Sequence, residues 1–146
     1  MISENYFTKL ASVESSNNPL AKNEKSSAKG LYQFIDTTAQ EYGITANFGT
    51  PEYTKQETDA VKKLTANNYT HLESKLGRAP TDGELYLAHQ QGASGAVKLL
   101  SQSQDQNAIA VLGEDQVLNN GGNKDTTVGE FVNKWTSKFD NKAEEK

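Results

Sequence analysis

The chain has 146 residues and no cysteine, with 15 Lys and Arg against 19 Asp and Glu for a net charge of -4. That length suits one domain with one core, and a hydrophobic content of 34% with a mean hydropathy of -0.76 describes a well-hydrated domain whose core is economical. The composition excludes a disulfide frame or thiolate metal site, a membrane span of roughly 18 or more apolar residues, and nucleic-acid binding, because no Lys/Arg cluster interleaves with aromatics.

Met1 to Phe7 carries no basic stretch followed by an apolar run, so no secretory signal is expected. The first predicted helix runs from about Ser3 to Ser15 and stops at Ser15-Ser16-Asn17-Asn18-Pro19. A Gly/Ser/Lys-rich stretch, Lys22 to Gly30, leads into Leu31-Tyr32-Gln33-Phe34-Ile35, with room for a small β-turn element between Ala21 and Phe34. Asp36 or Thr37 is the expected cap of a short helix ending at Tyr42, with Gly43 as its C-terminal stop. Thr54 and Glu57 have capping-box spacing. They are read as opening a long helix to about Leu76, with Val61, Leu64, Tyr69, Leu72 and Leu76 as its apolar stripe and Gly77 as its end.

Thr81 and Glu84 form a second box, opening a helix with Leu85, Leu87 and Ala88. Gly92 and Gly95 bracket a turn, and Ala96 to Gln102 is the next short helix. Asp105 is the expected cap for Gln106 to Leu112, and Asn119 to Asn123 reads as a loop. Thr127 and Glu130 make a third box, ahead of a stripe of Val128, Phe131, Val132, Trp135 and Phe139. Three capping boxes and no β-branched alternation predict an all-α fold. Residues 1–140 are expected to form one domain and residues 141–146 a polar tail.

Glu14 is the chemically informative residue. At about 100° per residue it shares a face with Phe7 and Leu10 in the last turn of its helix. Partial burial disfavours a charged carboxyl, and the negative end of the helix opposes one too. A general acid working near neutral pH needs such an environment. Gly30-Leu31-Tyr32-Gln33-Phe34 follows, beginning sixteen residues after Glu14, and Ala88-His89-Gln90-Gln91-Gly92 closes a later helix.

In that order, Glu14-Ser15, the Ser27 to Phe34 segment and the Ala88 to Gly92 segment resemble the lysozyme-like soluble lytic transglycosylases. That family carries a Glu-Ser at a helix end, a Gly-Leu-Met-Gln-like segment, an Ala-Tyr-Asn-Ala-Gly-like segment and a late tyrosine. The resemblance covers about residues 4 to 139. The phrasing of Gly83 to Gly92 looks like the version found in bacteriophage virion and lysis proteins.

The resemblance implies a lysozyme-like fold with minimal β-structure and a substrate cleft. Its implied reaction cleaves the β-1,4 bond between N-acetylmuramic acid and N-acetylglucosamine in peptidoglycan. Glu14 protonates the leaving oxygen, then takes the proton of the sugar C6 hydroxyl as a 1,6-anhydro ring closes. No metal or cofactor is implied. The partners implied are glycan strands, met by a monomer in the bacterial periplasm, with a phage-encoded or virion-associated source.

One carboxylate suffices for that chemistry, whereas most glycosidases use two. Asp36, Glu41, Asp82 and Glu84 are the nearby acids, and capping or first-turn placement accounts for Asp36, Asp82 and Glu84. A hydrolytic muramidase of the same fold and a non-catalytic peptidoglycan-binding virion domain are the competing readings.

For the substrate, the resemblance assigns Ser15, Ser26, Tyr32, Gln33, Phe34, His89, Gln90 and Phe131. Ser15 is also a polar helix-end residue, and Gln33 is also an amide bracing the Glu14 helix. Tyr32 stands where the family has Met, and His89-Gln90 where it has Tyr-Asn. Phe131 falls at the late tyrosine, with a packed core ring as its other reading. Asn23, Ser26 and Ser27 share the candidacy for holding the N-acetyl oxygen. His71 and His89 have no carboxylate spacing that would make a metal site.

Overall fold

A computed structural model describes residues 2–142. Eight helices are assigned among them: α1 Glu4–Ser15, α2 Asp36–Glu41, α3 Pro51–Leu76, α4 Asp82–Gln91, α5 Ala93–Leu100, α6 Ala108–Leu112, α7 Glu114–Asn119 and α8 Val128–Asp140. Among the described residues the only β-structure is isolated bridges, Lys22 with Lys29, Lys29 with Phe34 and Asn107 with Thr127. The all-α expectation therefore holds, including the small turn element before Phe34. No helix among the described residues is long and apolar enough to cross a membrane. Of the expected polar tail, residues 143–146 lie outside the described residues.

The chain divides into two compact units, residues 2–67 with Lys142 and residues 68–141, and the division falls inside α3. In the first unit, α1 starts at Ser3, whose hydroxyl accepts from the Tyr6 N–H. It buries Tyr6, Phe7, Leu10 and Ala11. The first three recur at helical spacing, and that face is what holds so short a helix in place. Helix α3 begins a turn earlier than its Thr54 signal. Pro51 takes the first turn, where a missing N–H costs nothing, and the Thr50 hydroxyl accepts from the Tyr53 N–H at 3.2 Å. Thr54 donates its own N–H to Thr50 O inside the helix. The carboxylate of Glu57 is elsewhere, in the core.

Two other cap assignments are also corrected. Ile35 is the N-cap residue of α2 and makes no side-chain cap bond. Asp36 instead pairs its carboxylate with Lys29 Nζ at 3.2 Å. Helix α6 is capped by Asn107, whose side chain accepts from the Ile109 and Ala110 N–H groups, not by Asp105. Helix α7 has no counterpart among the predicted elements. It is six residues long and offers little periodicity to read.

In the second unit α4 packs against α8 and α5. Both capping boxes form as expected, Thr81 with Glu84 and Thr127 with Glu130. Gly83 lets α4 and α8 approach, since a Cβ there would fall 3.2 Å from Thr136 Cβ. Tyr86 of α4 stacks on Phe139 of α8 at 5.4 Å, and Phe131 meets Trp135 edge-on at 6.4 Å.

Glu84 also holds Arg78 through two bonds of 2.8 Å. The Arg78 guanidinium is the main cause that draws the Glu84 carboxyl below its usual range, helped by Thr81 and opposed by burial. A depressed folded value stabilises above the unfolded one and is lost as pH falls through the folded one. Arg78→Ala is therefore expected to lower the unfolding free energy at pH 7 by less than about 1 kcal/mol, as read from urea denaturation, Arg78 being exposed. The difference should vanish once the pH has fallen through the lowered pKa of Glu84. A difference that survives there would mean that Arg78 acts through packing.

Candidate active site

Glu14 is half-buried in the last turn of α1, on the side of buried Phe7 and Leu10. The helix is closed by Ser16 in the left-handed conformation, with Ser16 N–H bonded to Ser12 O and Asn17 N–H to Ala11 O. Ser16, Asn17 and Gln33 are the non-glycine residues of positive φ among those described, at 54°, 64° and 54°. Two follow Glu14-Ser15 directly and the third is the amide of the Gly30 segment. Such backbone costs energy and collects at functional sites.

A chain of hydrogen bonds links these segments. Asn18 N–H donates to Ser15 O at 3.1 Å and Ala21 N–H to Asn18 O at 3.2 Å. Ala21 O then accepts from Gly30 N–H at 2.8 Å and from Gln33 Nε2 at 3.3 Å. Gln33 Nε2 also donates to Gly30 O at 2.8 Å. The Gln33 amide thus braces its own turn and the loop leaving α1.

The Ser15 hydroxyl donates to Ala11 O at 3.1 Å, a bond back into its own helix. Tyr32 and Phe34 are buried, Tyr32 at 7% exposure. Asn23, Ser26 and Ser27 are exposed, and each accepts a backbone N–H, from Lys25, Ala28 and Asp36 in turn. Any of the three keeps an open face toward solvent.

The second unit carries the other candidates. His89 and Gln90 are half-buried at the end of α4, and Gln90 Nε2 donates to the Tyr86 hydroxyl at 3.2 Å. Phe131 is a core ring at 1% exposure.

Sequence patterning missed Glu57. It is 0% exposed, and its Oε1 accepts the Tyr32 N–H at 2.8 Å across 25 residues of chain. Tyr53, one turn before it, is also buried. The Tyr32 phenol is raised above its usual pKa and that of Tyr53 is pushed up to about 12, by burial first and the charge of Glu57 second. The missed signal was the spacing of Tyr53, Glu57, Ala60 and Val61, which puts Glu57 on a buried helix face.

The family model described as Transglycosylase SLT domain matches residues 1–111. The chain belongs to this family. Its general activity is peptidoglycan lytic transglycosylation, and the matched stretch contains Glu14-Ser15, Gly30 to Phe34 and His89-Gln90. Helix α8 with Phe131 lies beyond it. No curated protein matches the chain.

Proposed function

We propose that this transglycosylase domain cleaves the β-1,4 bond between N-acetylmuramic acid and N-acetylglucosamine, with Glu14 as its single acid and base. The observation that carries the reading is the half-buried Glu14 at the end of α1, inside the family match and followed by a loop that is hydrogen-bonded to the Gly30 to Gln33 turn. The Glu14 carboxyl gives its proton to the glycosidic oxygen as the C1–O bond breaks. The N-acetylglucosamine leaves with a free 4-hydroxyl, and the substrate's own N-acetyl group stabilises the cationic C1. The C6 hydroxyl then attacks C1 and returns its proton to Glu14. Atoms balance without water, and no metal or cofactor takes part.

Three other acids are engaged elsewhere, which supports a single-acid reaction. Glu84 is held by Arg78 and Thr81, Asp36 pairs with Lys29, and Glu57 is sealed from solvent. Gln33, whose Nε2 is held by two carbonyls, offers its Oε1 to the substrate N-acetyl N–H. Ser15, Ser26, Tyr32 and Phe34 shape that end of the site. His89 and Gln90 take the place of the family's Tyr-Asn pair, and Phe131 packs beside Trp135 as a core ring of the second unit. The Gly83 to Gly92 segment supports a phage-encoded or virion-borne protein, and action as a monomer on the periplasmic wall is part of the same proposal.

Digestion of purified peptidoglycan followed by mass analysis tests the reaction. The expected muropeptides are one water lighter than hydrolysed ones and lack a reducing muramic acid end. Reducing ends would replace this reading with a muramidase. No released sugar, with the protein still bound to the wall, would replace it with a binding domain.

A further inference from the structure

Glu57 is a fully buried acid whose position none of the chemistry above uses. It occupies a place on α3 where the spacing of Tyr53, Ala60 and Val61 calls for an apolar residue. A buried carboxylate there is costly unless it is hydrogen-bonded. A Leu or Met of similar volume would serve packing alone, so the carboxylate points to a task beyond the core.

Its surroundings indicate the task. The Tyr32 N–H donates to Oε1 at 2.8 Å, and both are buried. Gly30, at φ +88°, presses against the same carboxylate. A Cβ there would fall 2.7 Å from Oε2 and 2.8 Å from Cδ, and closer still to Oε1. The carboxylate therefore lies behind the turn and touches it at two places. The residue after Tyr32 is Gln33, with its left-handed backbone. A backbone of this kind persists only where the surroundings over-determine it. The ties of Gln33 Nε2 to Gly30 O and Ala21 O hold the turn from one side, and Glu57 holds it from the other.

We propose that Glu57 is a positioning residue for the transglycosylase reaction: its buried carboxylate anchors the Gly30 to Phe34 turn through the Tyr32 amide and so sets where Gln33 meets the saccharide. The inference rests on the reading of the Gly30 to Phe34 turn as part of the glycan site. At 0% exposure Glu57 itself neither touches substrate nor activates water.

Three variants separate positioning from a general contribution to folding. Glu57→Gln keeps a carbonyl acceptor for the Tyr32 N–H. Glu57→Asp keeps the charge but falls one methylene short of it. Glu57→Met fills the space with no acceptor. Kinetics on soluble glycan strands, run well below each variant's melting temperature, are paired with co-sedimentation on insoluble peptidoglycan and the NMR shift of the Tyr32 amide proton.

Glu57→Asp and Glu57→Met are expected to raise KM by about 10–100-fold with kcat little changed, as for a displaced contact made in ground and transition states alike. Binding to peptidoglycan should weaken in parallel, and the Tyr32 amide proton should move upfield. Glu57→Gln should restore KM to near the wild-type value. If Glu57→Met does not fold, the Asp and Gln pair decides the matter. A folded Glu57→Asp with wild-type KM, or a Glu57→Gln as impaired as the Asp variant, overturns the assignment. A wild-type chain that releases no muropeptide but binds peptidoglycan in a Glu57-dependent way would sink the transglycosylase reaction and leave the positioning role standing. A chain that neither releases nor binds removes both.

Discussion

Glu14→Gln is expected to slow muropeptide release by about 10²–10⁴-fold, the usual contribution of one general acid–base group. The substitution preserves size and hydrogen-bonding shape but removes the transferable proton. In the proposed reaction the same carboxyl acts twice, so both halves of the step fail together. Glu14 lies half-buried in the last turn of α1, beyond the core positions Phe7, Leu10 and Ala11 that hold the helix. The fold should therefore survive, and an unchanged melting temperature with intact binding to peptidoglycan is the matching control. Near-wild-type activity in a folded Glu14→Gln protein would remove Glu14 from its role and reopen the search for the acid.

Phe139→Ala is expected to cost about 3–5 kcal/mol, the range for deleting a buried aromatic ring. Phe139 is 1% exposed and stacks on Tyr86, which in turn meets Trp135 at 6.3 Å. Truncation leaves a cavity against the Tyr86 ring and weakens the seam between α4 and α8. Domains of this kind have a total stability of about 5–15 kcal/mol, so the variant would sit near its unfolding threshold at room temperature. Urea denaturation measures it. A loss below about 1 kcal/mol would mean that the ring's place is refilled by its neighbours.

Much of this protein was legible from local signals. The period of the apolar residues marked α1 and α8, and Thr81 and Thr127 marked the starts of two helices, because a capping box is satisfied within four residues of chain. Asp36 and Asp105 were misread by the same logic. A capping residue beside a helix start has other partners available, and Lys29, seven residues before Asp36, offered a better one. Phe131 stood open between a late cleft position and the core. The aromatic packing around it made it a core ring, which no count of intervals along one helix could decide.

Glu57 marks the boundary between the two kinds of information. As a string, Thr54 to Glu57 reads as a helix start, although Thr50-Pro51 just before it offers a competing one. The sequence by itself determined the helical class, the family-bearing segments in their order, and an acid at the end of α1. Those properties depend on spacing along one chain segment. Only the tertiary structure decided that the Glu57 carboxylate is buried and that its partner is an amide 25 residues earlier. A hydrogen bond of that sequence separation depends on how α3 lies behind the Gly30 turn. That placement is set by packing across the whole first unit rather than by any local pattern.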